Sequence, residues 1–104
     1  MAARNDEHEQ IARIFLDEIK KHYHVDSAYI FGSYAKGTQN RWSDIDLAVV
    51  SPDFSDDLFE ERISLMLLAA DIDERIEPKP FRPDSFNPID PLVYEIQKHG
   101  VKLI

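Results

Sequence analysis

Phe31-Gly-Ser-Tyr-Ala-Lys-Gly-Thr-Gln-Asn-Arg-Trp-Ser-Asp-Ile-Asp-Leu-Ala-Val-Val50 is the stretch on which the reading of this chain turns. Its tail, Asp44 to Val50, has the apolar, β-branched composition of a buried strand and ends at Ser51-Pro52. The segment before it, Ser27-Ala28-Tyr29-Ile30-Phe31, is a second strand, halted at Gly32. Alternate side chains of an extended strand share a face. Asp44 and Asp46 therefore project together, about 6.5–7 Å apart, while Ile45, Leu47 and Val49 point the other way. Aspartate is depleted in strands. Two of them opening an apolar strand are either a frayed end facing water or a seat for a hard cation such as Mg²⁺, which takes one or two carboxylates and completes its octahedron with water and substrate phosphates.

Gly32-Ser33, with ten residues between Ser33 and Asp44, favours the second reading. A glycine at a strand end lets backbone approach a ligand, and a serine opening a helical turn offers N–H groups and a hydroxyl to phosphate oxygens. Lys36 and Arg41 lie in the connecting loop of an otherwise acidic chain, placed either to neutralise a triphosphate or to be solvated. Ser43 orients Asp44 or simply begins the strand. Tyr34 and Trp42 flank the loop as nucleobase-stacking or packing aromatics.

Outward from this centre, Ile11, Ile14, Phe15, Ile19 and Tyr23 recur at helical steps and predict a helix from Asn5 to about His24. Ser55 reads as the cap of a further helix whose apolar stripe is Leu58, Phe59, Ile63, Met66, Leu67 and Ala70. Arg75 to Phe81 predicts a third strand, which Pro78 and Pro80 confine to a sheet edge. Asp90-Pro91 opens a last helix that Gly100 stops, and Val101 to Ile104 form a closing strand. The order predicts an α/β (α+β) fold, a small mixed sheet with helices packed on it, as one domain over residues 1–104.

Composition bounds the function. With 104 residues, a formal charge of −8 and no cysteine, the chain excludes thiol chemistry, and its acidity disfavours duplex binding through counterion release. A basic protein partner suits it better. No apolar run reaches the roughly 20 residues that cross a bilayer, and the N-terminus lacks a signal peptide's apolar core, so the expected location is the cytoplasm. His22 and His24, two apart, do not form an i, i+4 metal pair. Asp71-Ile72-Asp73 repeats the carboxylate spelling at a helix end without a preceding Gly-Ser and reads as solvated loop.

The arrangement Gly32-Ser33, ten residues, Asp44-Ile45-Asp46, within FGSYAKG…SDIDLAVV, resembles the signature of the minimal nucleotidyltransferases, small relatives of the DNA polymerase β superfamily. The resemblance implies a nucleotidyltransferase fold, Mg²⁺ held by Asp44 and Asp46, and a nucleoside triphosphate seated at Gly32-Ser33 with Lys36 and Ser43 beside it. It further implies a third carboxylate on the following strand, for which Glu77 is the candidate, acting on the metal and as base; a glutamate before Pro78 departs from the more usual aspartate. Free-standing members of this length are often partners of HEPN-domain ribonuclease toxins and in some cases transfer AMP to a toxin tyrosine. A hetero-oligomer with such a toxin is therefore expected. The alternatives are a non-catalytic antitoxin that neutralises by contact, and a small-molecule nucleotidyltransferase that would need a dimer to build its pocket.

Overall fold

The computed structural model describes residues 6–104. In chain order the elements are α1 (Asp6–Ile19), β1 (Ser27–Phe31), α2 (Ser33–Lys36), β2 (Ile45–Val50), α3 (Leu58–Ala70), β3 (Ile76–Phe81), a 3₁₀ turn (Pro83–Ser85), α4 (Pro91–His99) and β4 (Val101–Lys102). The four strands form one mixed sheet in the order β3-β2-β1-β4, as the element pattern predicts. β1 runs antiparallel to β2 and β4, whereas β2 and β3 are parallel, with α3 as the crossover that parallel pairing requires.

Pro78 and Pro80 fit this sheet for a specific reason. The carbonyls of Arg75 and Phe81 accept from Ile45 N–H at 2.7 Å and Ser51 N–H at 3.0 Å, so odd-numbered residues of β3 turn their backbone toward β2. The prolines turn theirs to the open edge, where a missing N–H breaks no ladder bond.

The two sheet faces are covered unequally. Ala28, Ile30, Ile45, Leu47, Val49 and Ile76 pack against Ala12, Phe15, Leu16 and Ile19 of α1 and Leu65 and Ala69 of α3. Burying each of the larger side chains stabilises by about 1.5–3 kcal/mol. On the other face, Ala48, Val50 and Phe81 meet Val93 and Ile96 of α4. Both faces of β2 are thus apolar at its C-terminal half. At its N-terminal end Asp46 is only half-buried.

Four local expectations are corrected. α1 ends at Ile19 rather than His24, and the expected start at Asn5 lies outside the described residues. Tertiary bonds draw the chain out of the helix: His24 N–H donates to Asp53 at 2.7 Å, Asp26 N–H to Val50 at 2.8 Å, and the Tyr23 ring meets Phe54 edge-on. Ile14 points outward and is exposed. α3 is capped by Asp57, whose carboxylate accepts Glu60 N–H at 3.1 Å, while Ser55 Oγ sits a turn earlier and accepts Asp57 N–H. Its core side is Leu65 and Ala69, with Leu58 and Leu68 half-buried; Phe59, Ile63, Met66, Leu67 and Ala70 face outward. The helix is apolar on two sides, so periodicity alone could not select the one that meets the sheet.

Candidate active site

β1 leads into the site through a single strained turn. Gly32 has φ +71° and ψ −141°, a combination that a side chain resists, and a Cβ there would fall on the Asp46 carboxylate. Glycine is required twice over. α2 follows as one helical turn: Lys36 N–H reaches Gly32 O at 3.2 Å, and the turn closes at Gly37, φ +75°, with Thr38 N–H on Ser33 O at 3.0 Å. Because Phe31 pairs with Asp46 across the antiparallel ladder, this Gly-Ser turn lies directly beside the carboxylates. The ten-residue spacing is made of the rest of α2, Tyr34 to Lys36, and the seven-residue loop, 37–43, that returns to Asp44 at the head of β2.

Asp44 is exposed on the loop immediately before β2, and Asp46 lies one strand step inside. Burial, then the nearby charge of Asp44, then that of Glu77, push the Asp46 carboxyl above its ordinary value. Glu77 is the register partner of Asp46 on β3, and its carboxylate lies 3.5 Å from the Arg62 guanidinium. Among the described residues, no three carboxylate or imidazole groups converge to enclose an ion. Asp44 and Asp46 supply hard oxygen ligands at an open position, a donor set that fits Mg²⁺ completed by water and substrate phosphates. A hollow of about 200 Å³ is lined by Asp46, Glu77 and Leu92 and another of about 230 Å³ by Gly32, Lys36 and Leu92, while Asp44 lines a separate cavity of about 730 Å³.

The sequence matches the nucleotidyltransferase domain family over residues 12–102. The chain belongs to that family. A protein adenylyltransferase, MntA, of Shewanella oneidensis is 38% identical over 61 residues, which are 59% of this chain and 42% of MntA. The chain spans less than half the length of the curated relatives it matches. Among solved structures, a mutant toxin–antitoxin MntA–HpeT complex aligns over 92% of this chain and 70% of its own, at 29% identity and a TM-score of 0.57. A toxin–antitoxin structure with AMP-PNP aligns over 88% of this chain and 71% of its own, at 26% identity and a TM-score of 0.58.

In this nucleotidyltransferase domain the remaining residues singled out in the sequence divide sharply. Lys36 is exposed at the end of α2. Ser43 Oγ accepts Asn40 N–H at 2.9 Å, closing the turn just before Asp44. Arg41 stacks its guanidinium 5.0 Å above the ring of Trp42, which is exposed. Tyr34 is buried in the core with its hydroxyl 3.2 Å from Glu9, so it is a packing aromatic and presents no face to a base. His22 and His24 pair separately with Glu18 and Asp26.

Arg75 was not expected to bear on the site, yet it holds the site from behind. Its guanidinium donates to Asp73 at 2.8 and 2.9 Å and to the Arg41 carbonyl at 2.6 Å, and lies 3.4 Å from Glu7. Its own carbonyl accepts the N–H of Ile45, the residue between the two aspartates. One residue thus ties the loop carrying Asp44 to α1 and to the α3–β3 turn. In the sequence it is one charge in a charged run; only its spacing from Asp73 hints at a local ion pair.

Proposed function

We propose that this domain transfers AMP from Mg²⁺-bound ATP to a hydroxyl of a partner protein in the cytoplasm, the partner being a HEPN-domain toxin encoded beside it. The observation that carries the reading is the Gly32-Ser33 turn pressed against an Asp44–Asp46 pair whose inner carboxylate has no cation partner among the described residues. The adenylyltransferase name of the Shewanella relative, and the toxin–antitoxin structures, one with AMP-PNP, support the nucleotide and the kind of partner.

Mg²⁺ held by Asp44 and Asp46 would offset the charge developing between attacking and leaving oxygens. The chain's own groups do the positioning. Backbone and hydroxyl at Gly32-Ser33 receive the terminal phosphates, Lys36 adds positive charge from the end of α2, and Ser43 keeps Asp44 in place through its turn with Asn40. The acceptor oxygen bonds to the α-phosphorus as the bond to the bridging oxygen breaks and pyrophosphate departs, and Glu77 takes the hydroxyl proton.

A second reading, an antitoxin that acts by contact alone, is favoured by one observation: Glu77 is engaged with Arg62 rather than gathered with the aspartates. Intact-mass measurement of the neighbouring protein after incubation with this chain, Mg²⁺ and ATP separates the two. Addition of one or more AMP units by wild type and none by Asp44→Asn supports transfer; an unchanged mass in a mixture that forms a complex supports contact alone.

A further inference from the structure

α3 carries two apolar sides, and only one is used by the fold. Outward, Phe59 is 73% exposed, Leu67 68%, Ile63 42% and Met66 41%, with Ala70 exposed beside them. At 3.6 residues per turn these five positions fall within an arc of about 100°, forming one stripe along the helix. Contiguous apolar surface of this kind marks an interaction site, whereas scattered exposed side chains do not.

The stripe also leads somewhere. Ala70, at its C-terminal end, lines a cavity of about 730 Å³ together with Trp42 and Asp44. A molecule lying along α3 therefore meets, at the helix's C-terminal end, the cavity that Asp44 also lines.

Charge decides the occupant. Exposed Asp56, Asp57 and Glu60 border the N-terminal end of the stripe, and exposed Asp71 and Glu74 border the other. Among the described residues the adjoining cations are Arg62, beside Glu77, Arg82, 3.8 Å from Asp56, Lys79, which lines a hollow with Phe59, Arg75, which lines the cavity with Ala70, and Arg41, stacked on Trp42. In a pair of identical chains, antiparallel packing of α3 would set Asp56, Asp57 and Glu60 against Asp71 and Glu74. Parallel packing would set each acidic end against itself. Each copy also brings a charge of −8, and like charges across an interface oppose association.

We infer that the outer face of α3 is the docking surface for a separate protein that presents apolar side chains flanked by Lys and Arg, and that this face directs the partner toward the cavity at Asp44. The first clause takes its partner from the function proposed above, and only the second rests on the transfer itself. The acidic borders steer a basic partner into register, and Phe59 and Leu67, the most exposed members, are its anchors.

The test uses the protein encoded beside this chain as the probe, with Leu67→Asp as the variant, a surface change that leaves the core intact. Wild type should co-sediment with the probe, and Leu67→Asp should weaken binding by about 30-fold or more, while Mg²⁺-ATP affinity and Tm stay at wild-type values. The double variant Glu60→Lys/Asp71→Lys should slow association and weaken its salt dependence. Undiminished binding by Leu67→Asp overturns the proposal, as does a wild-type chain that does not bind the probe. Wild type that sediments alone as a dimer, dissociated by Leu67→Asp, overturns it in favour of a second copy. Failure of the transfer reading looks different: the complex forms, depends on Leu67, and the probe gains no mass.

Discussion

Asp44-Ile45-Asp46 and Asp71-Ile72-Asp73 are the same three letters with opposite electrostatic surroundings. In the first, Asp46 lies at the half-covered head of a strand, and burial together with Asp44 and Glu77 raises its carboxyl above the usual value. In the second, the Arg75 side chain donates to Asp73 at two positions and holds its carboxyl below that value, while Asp71 ends α3 in solvent. At the head of β2 the loop residue Asp44 and the strand residue Asp46 stay close enough to repel, whereas the turn after α3 lets a neighbouring cation neutralise Asp73. The pair left in mutual repulsion is the one proposed above to hold Mg²⁺.

Breaking the first pair should give the largest effect. Asp46→Asn is expected to lower AMP transfer by about 10³-fold or more, the loss of several kcal/mol of charge stabilisation, measured as initial rate at saturating Mg²⁺-ATP. Without metal the variant should unfold no earlier than wild type, because it lacks a repelling charge. Next comes Gly32→Ala, which forces a side chain to φ +71° and onto Asp46. A stability loss of about 1–3 kcal/mol is expected, read by chemical denaturation, with transfer reduced alongside it.

The second pair should respond in the opposite sense. Asp73→Asn removes the partner of Arg75 and should cost about 1–3 kcal/mol of stability while keeping transfer within about tenfold of wild type, since no reacting group is touched. Arg75→Ala should lose comparable stability and also loosen the Arg41 carbonyl, so the Mg²⁺ concentration for half-maximal rate should rise.

The smallest effect, and the one that sharpens the comparison most, lies in pH. Asp46, raised when folded, makes the metal-free protein less stable as pH climbs from the ordinary value of 3.8 through its folded value. Asp73, lowered when folded, adds stability that is complete above 3.8 and lost as pH falls through its folded value. Denaturation at neutral pH should therefore place Asp46→Asn at or above wild type and Asp73→Asn below it, with both differences shrinking in acid.

Most of the site's frame was legible because it is local. The Gly-Ser turn, the antiparallel return and the alternation of Asp44 and Asp46 are properties of one twenty-residue stretch, and the edge position of β3 follows from Pro78 and Pro80. What could not be read depends on contacts between distant segments. Which side of α3 meets the sheet is decided by packing, since both sides are apolar. Arg75 acts through a carbonyl 34 residues away, which no spacing announces. Tyr34 reads equally as a stacking or a packing ring until α1 is seen to cover it.

The most direct test of the account is a thermal-shift titration of wild type, Asp46→Asn and Asp73→Asn with Mg²⁺ and ATP. Wild type should gain Tm, Asp73→Asn should gain as much from a lower starting point, and Asp46→Asn should gain little. An equal gain in Asp46→Asn and wild type would contradict the assignment of metal and nucleotide to the first pair.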